Sequence, residues 1–374
     1  MNPIIFKIKP MKITNFRLSQ SLVLSFILLT QLNTSCTQAT GNPAEIQEVE
    51  SKTTIAFGSC GHQNHDLPVF NTIASLGPDY FIFLGDNIYG DTKKMDVLRD
   101  KYKRLGEKPS FKNMKLATKI LATWDDHDYG WNDSGKEYPF KKESKEIFLQ
   151  FFEEPVESVR RKHEGIYHEE IIEKDGHILQ ILLLDNRSFR DKLKPYNKNF
   201  KHDKRFDFYT KDYQPHTDTT TTLLGEEQWK WLDQALAKKS DIRIICSGTQ
   251  FGIEWNSYEA WANFPHEQRK MLRLIEKNKA NGVFFITGDV HYAELSKLET
   301  NFYPIYDFTS SGLSSTWSFA TPNSNRIKGP MMENNFGFLE IDWNMKKIKC
   351  SAIGVDAKVN FSQVIELSEI SFKK

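Results

Sequence analysis

Short apolar runs, each closed abruptly by polar residues, recur along this chain and predict β-strands whose carboxyl ends carry chemistry. The run YFIFL at 80–84 stops at Gly85 and is followed by Asp86, Asn87 and Tyr89. Residues 54–57 lead into Gly58, Ser59 and Cys60; 120–124 into Asp125, Asp126, His127 and Asp128; and 283–287 into Gly288, Asp289, Val290 and His291. One Gly-Asp turn needs no functional explanation, because Gly, Asp and Asn are ordinary turn residues. Four strand ends bearing carboxylates, imidazoles, a thiol and a phenol predict a shared site, since open α/β sheets place sites beyond the carboxyl ends of parallel strands.

Helical periodicity at 68–76, 94–105, 111–116, 143–152, 226–237 and 266–278 alternates with these strands. Further strands are expected at 167–172 and 178–184, separated by the hairpin signal Lys174-Asp175-Gly176, at 242–246, and at several places between 294 and 366. Residues 186–222 are polar and rich in Lys and Thr, which predicts a long loop over the site. No internal repeat is present. The pattern predicts an α/β domain of two packed sheets with helices outside. With 374 residues, 39% hydrophobic and 13% aromatic, the chain can bury a large core, and a disordered class is excluded. Lys and Arg total 50 against 49 for Asp and Glu, so no global field selects nucleic acid or an anionic membrane, and no obligate protein partner is evident.

Lys7, Lys9, Lys12 and Arg17 precede an apolar stretch at 22–29, too short to span a bilayer and suited to the core of a signal peptide. Thr34 and Ser35 then lead to Cys36, which resembles a bacterial lipoprotein cleavage site, with Asn33 where an aliphatic residue is usual. The expectation is a leader at 1–36, a polar tether at 37–52 and a catalytic domain at 53–374. The protein is then exported and anchored by a lipid on Cys36 at a periplasmic or cell-surface membrane; an ordinary secretory signal is the alternative. The remaining cysteines, Cys60, Cys246 and Cys350, are odd in number and widely spaced, so no disulfide framework is expected. Cys246 and Cys350 read as core residues, whereas Cys60 ends a strand.

The motifs FGSC (57–60), GDNIY (85–89), WDDHD (124–128), LDNR (184–187) and GDVH (288–291) occur in the order seen in PhoD-like alkaline phosphatases/phosphodiesterases, which the chain therefore resembles. Only a short tether precedes FGSC, where many PhoD proteins carry a separate β-rich domain. The family belongs to the calcineurin-like metallophosphoesterase superfamily, and the resemblance implies a two-sheet αββα sandwich. It also implies hydrolysis of phosphomonoesters and/or phosphodiesters by a dinuclear centre, with metal-bound hydroxide attacking in line. Asp86 is the expected bridging carboxylate. Tyr89 matches the tyrosine that ligates ferric iron in the related purple acid phosphatases, and with Cys60 and His291 it makes a sulfur, oxygen and nitrogen site suited to iron.

At the second position Asp126 and Asp289 stand where the superfamily commonly has Asn and His, and Gln250 ends the strand where a further histidine is usual. Gln250 is expected to give an amide oxygen or to stand behind a water. Such all-oxygen ligands select calcium, so the expected cofactors are Fe3+ with one or two Ca2+, other divalent ions also fitting. By motif position His127 donates to the phosphoryl oxygen or protonates the leaving group, with Asp128 orienting its ring. Asn87 and Arg187 are expected phosphate or supporting contacts, a structural ion pair being the alternative for Arg187. His62 and His65 line the mouth or sit exposed, Asp91 and Asp133 read as turn residues, and Trp255, Tyr258 and Trp261 form either an apolar wall or core. There is no G-x-S-x-G elbow and no P-loop, so no covalent phosphoenzyme is expected. Two other readings stand beside this one: a phospholipase of D or C type, and a non-catalytic surface lipoprotein with a decayed site. The intact ligand set argues against decay.

Overall fold

The structure, a computed structural model, describes residues 51–373. The predicted leader, Cys36 and almost all of the tether lie outside them. Strands β1 (Lys52–Gly58), β2 (Tyr80–Leu84) and β3 (Lys119–Thr123) run parallel and adjacent. The chain's last three strands, β11 (Asn335–Asp342), β12 (Lys347–Gly354) and β13 (Val359–Glu366), complete this sheet in the order β13-β12-β11-β1-β2-β3.

The second sheet is built from β4 (His168–Lys174), β5 (His177–Leu183), β6 (Ile242–Ser247), β7 (Val283–Thr287), β8 (Ala293–Leu298), β9 (Ile305–Ser310) and β10 (Arg326–Met331), in the order β10-β8-β9-β7-β6-β5-β4. Strands β5, β6, β7 and β9 are parallel, so their carboxyl ends share one edge. The Asp175-Gly176 pair turns β4 into β5 with both residues at positive φ, as a tight hairpin requires.

Period-two alternation sorts side chains between the layers. Ile55, Phe57, Ile82 and Leu84 face the second sheet in the central core, while Ala56, Phe81 and Phe83 face outward. The outward set packs under helices α1 (Val69–Leu76), α2 (Met95–Glu107) and α3 (Pro109–Ala117). A single turn, α4 (Asp126–Tyr129), follows β3, and α5 (Lys141–Phe151) joins the same outer layer. On the far side α6 (Gly225–Leu236) and α7 (Pro265–Lys277) bury Trp229, Leu232, Met271 and Ile275 against the second sheet. The result is the expected αββα sandwich. Cys60, Cys246 and Cys350 are all free and buried.

Phe57 sits in register opposite Gly337 of β11, and a Cβ at Gly337 would lie 2.2 Å from its ring. Phe57 is fully buried and cannot yield. Gly337→Ala is expected to destabilise the protein by about 1–3 kcal/mol through overpacking, measured by urea unfolding; an unchanged midpoint would show that the ring can move.

Candidate metal centre

The ends of β1, β2, β3 and β7 meet at one edge of the sandwich. Among the described residues twelve non-glycine residues have positive φ, and six of them, Cys60, Asp86, Asp91, Asp133, Asp289 and His291, belong to this edge. Such conformations cost on the order of 1 kcal/mol or more each and persist where the surroundings over-determine them. Gly85, at φ 98°, makes the approach of two strand ends possible: a Cβ there would lie 2.4 Å from that of Asp125. Asp86 and Asp125 are thereby brought side by side.

Three overlapping groups place ligand atoms within 4.8 Å of one another: Asp86, Asp126 and His127; Asp125, Asp126 and Asp289; and Asp126, Asp133 and Glu259. Asp126 is common to all. Burial pushes the carboxyls of Asp86, Asp125 and Asp289 well above the usual range, and neighbouring carboxylates add to the rise. Asp126 is the exception at about 2, because the charges of Arg187 and His127 outweigh its burial. Several buried acceptor atoms have no protein partner: Asp86 Oδ1, Asp125 Oδ2, Asp126 Oδ1, Gln250 Oε1 and Asn87 Oδ1, together with the Tyr89 hydroxyl. Buried polar atoms are nearly always satisfied, so this concentration of acceptors at one edge marks a place that can hold cations.

Cys60 is fully buried, with Sγ 3.4 Å from Asp86 Oδ2 and 3.1 Å from Ser311 Oγ. Burial first, then the Asp86 charge, pushes its thiol up. The Tyr89 ring lies 4.3 Å from that of His127 and 5.0 Å from that of His62. His291 Nδ1 is 3.0 Å from the Ser315 carbonyl, which can accept only from Nδ1–H and so leaves the lone pair on Nε2 for a metal. The Gln250 amide nitrogen is tied to Glu294 and Thr309, leaving its carbonyl oxygen without a partner.

Three expectations are revised by the geometry. Asp128 does not orient His127. As the third residue of α4 it reaches back to the backbone N–H of Asp125, and it also accepts from Asp86 N, the Asn87 amide and the Tyr102 hydroxyl. The partner of His127 is instead Asp91, at 2.7 Å from Nδ1, so Asp91 is more than a turn residue. Burial works against protonation of His127, but the charges of Asp86 and Asp91 prevail and hold it at about 10.

Asn87 is fully buried with its amide donating to Thr123 O and Asp128, so only its Oδ1 remains to face a ligand. Arg187 is wholly buried, paired with Asp125 and forked onto both oxygens of Glu259 at 2.8 Å, 3.8 Å from Asp126. This is the ion-pair alternative. Within the same motif Asp185 and Asn186 staple backbone: Asp185 accepts from Trp124, Ile166 and Ser188, and Asn186 from Ser247 and Gly248 N.

Glu259 went unnoticed in the sequence, as did Ser311 and Ser315. Glu259 lies between motifs with no strand end to announce it. Asp133, read as a turn residue, donates its N–H to Asp126 Oδ2 at 2.6 Å and accepts from the Tyr213 hydroxyl.

A two-sheet αββα sandwich with a carboxylate- and imidazole-lined centre at its strand ends defines a protein of the metallophosphoesterase type. The PhoD-like phosphatase profile matches residues 55–336, and the chain belongs to that family. It is similar to alkaline phosphatase D of Bacillus subtilis (strain 168), with 24% identity over 294 residues, covering 67% of this chain and 47% of the relative. The chain thus spans about half the length of that curated relative. Among solved structures it is similar in fold to PhoD, with a TM-score of 0.64 at 17% identity over 84% of this chain and 68% of the other. It is also similar to GAP50, the anchor in the inner membrane complex of Plasmodium, with a TM-score of 0.54 at 11% identity over 87% and 90% of the two chains.

Glu259 balances Arg187 and Arg190, both wholly buried. Glu259→Gln keeps the shape and removes the charge, and the metal-free variant is expected to lose roughly 3 kcal/mol in urea unfolding. A loss below about 0.5 kcal/mol would show that Asp125 and Asp126 alone compensate the guanidinium groups.

Proposed function

We propose that the protein hydrolyses phosphate esters, mono- or diesters, at a dinuclear centre of Fe3+ and Ca2+ within a domain spanning residues 53–374. The observation that carries this reading is the set of buried, partnerless acceptors on Asp86, Tyr89 and Asp126 beside a buried thiol and an imidazole with its Nε2 free. That donor set fits the two ions. Cys60, Tyr89 and His291 would hold iron, Asp126 and Asp289 with the Gln250 oxygen would hold calcium, and Asp86 would serve both. Such a pair supplies charge neutralisation at the phosphoryl oxygens and a water acidic enough to attack at neutral pH.

The chain's own groups do the rest. The Asp91 carboxylate, 2.7 Å from His127 Nδ1, favours the protonated ring, which can pass a proton to the departing alkoxide. Asp128 holds the backbone of Asp86 and Asp125, so both turns keep their shape when substrate enters. Arg187 neutralises Asp125 and positions it rather than touching phosphate.

The test is elemental analysis of the purified full chain beside Cys60→Ser, followed by turnover of bis(4-nitrophenyl) phosphate. One iron with calcium in the parent, and iron depleted in the variant, is expected. Two identical divalent ions untouched by the substitution would sink the thiolate-iron assignment. His127→Asn is expected to lower kcat by about 10²–10⁴-fold without changing metal content.

We also propose that the chain is exported and lipid-anchored at Cys36. The basic residues, the apolar stretch at 22–29 and the small residues before Cys36 support this. Labelling with a radioactive fatty acid in a bacterial host should be lost in Cys36→Ala; retained label would place the anchor elsewhere.

A further inference from the structure

His291 is the inner end of a run of aromatic rings. Trp317 stacks on it at 5.2 Å with planes 14° apart, and Phe319 stacks on Trp317 at 5.0 Å and 14°. Tyr258 packs against Trp317 at 5.3 Å, and Tyr209 against Phe319 at 5.8 Å. The root of this run is tied to the centre: Trp317 N donates to His291 O, Ser314 N and Ser315 N donate to Cys60 O, and Ser311 Oγ lies 3.1 Å from Cys60 Sγ. Its second attachment is Tyr258, the residue before Glu259. Its outer end is open, with Phe319 37% exposed and Phe208, beside Tyr209, 94% exposed.

The three aromatic residues picked out in the sequence divide differently. Trp261 is fully buried in the core, and Trp255 packs with Phe200 and Phe206 while donating to Tyr213 O. Only Tyr258 joins the run. Soluble proteins rarely leave contiguous apolar surface exposed without a use for it. Because Trp317 already stacks with two rings, the wall offers ring edges and the side of Phe319, which suit an alkyl chain better than the flat face of a nucleobase.

We propose that this wall is the subsite for the non-departing ester group of the substrate, and that the substrate class is phosphodiesters carrying an apolar alkyl or acyl-bearing group. This rests on the phosphohydrolase reading above. During hydrolysis a water oxygen bonds to phosphorus as the P–O bond to the other alcohol breaks, one water proton in net ending on that alcohol and the other going to solvent, while the wall holds the ester that stays on phosphorus. The apolar group can come from a soluble ester or from a lipid in a bilayer.

Two measurements on the metal-replete full chain test this. The first is calorimetric binding of octylphosphonate against methylphosphonate, which needs no turnover. Octylphosphonate is expected to bind at least tenfold tighter, an advantage falling below threefold in Phe319→Ala. The second compares kcat/KM for 4-nitrophenyl octyl, methyl and thymidine 5′-phosphates, which share one leaving group, with the octyl ester expected to lead the methyl by tenfold or more.

Equal affinity for the two phosphonates, or a thymidine ester that outruns the octyl ester, overturns the wall. If no ester turns over, the phosphohydrolase reading fails, and the phosphonate comparison still decides the wall. Release of choline from dioleoylphosphatidylcholine vesicles would support it with a bilayer source; turnover of the octyl ester alone would support it with a soluble one.

Discussion

Charge taken out of water has to be balanced, and at one edge of this sandwich it is not. Asp86, Asp125, Asp126 and Asp128 are almost completely buried, Asp289 is close by, and the protein sets against them chiefly Arg187 and His127. Stripping a carboxylate of water costs several kcal/mol even after relaxation. Arg187 answers for Asp125 and, at longer range, Asp126, while its other face is taken by Glu259. Asp86 and Asp289 are left with raised proton affinities, and Asp86 Oδ1 meets no donor. A cation would resolve all of this at once, and its binding would offset the backbone strain collected at the same edge.

The supports of the centre are arranged so that each candidate ligand is fixed by something that is not a ligand. His291 is aimed by the Ser315 carbonyl and Cys60 by Ser311, and the Asp86 and Asp125 backbones hang on one carboxylate, that of Asp128. Arg187 and Asp128, both charged residues within the sequence motifs, spend their hydrogen bonds on other groups of the protein in the same way. Their work is to hold other groups at fixed distances, where a shift of 1 Å costs much of the rate.

The sandwich and most of the centre could be read from the sequence because both depend on local rules. A strand that alternates between two cores and stops abruptly at Gly or Asp announces its own position, and Cys60, Asp86, Asp126, Asp289 and His291 all follow such stops. What could not be read are pairings between distant segments. Asp91 meets His127 across 36 positions and Glu259 meets Arg187 across 72, and neither acid carries a local mark. The same holds for Trp317 and Phe319, which lie in an irregular stretch and gain their meaning only by stacking outward from His291.

The stretch Asp125 to Asp128 shows why its geometry decides its chemistry. Were β3 to continue through it, alternation would put Asp126 and Asp128 on one face and His127 on the other. Instead β3 ends at Thr123 and the chain turns at Asp125 into the single helical turn α4. Successive side chains then fan out by about 100° each. Asp126 is turned toward Asp289 and the N–H of Asp133, His127 toward Asp91, and Asp128 back toward the strand ends. Three consecutive titratable residues thereby meet three separate sets of partners. One turn of helix at a strand end is the least structure that can separate them.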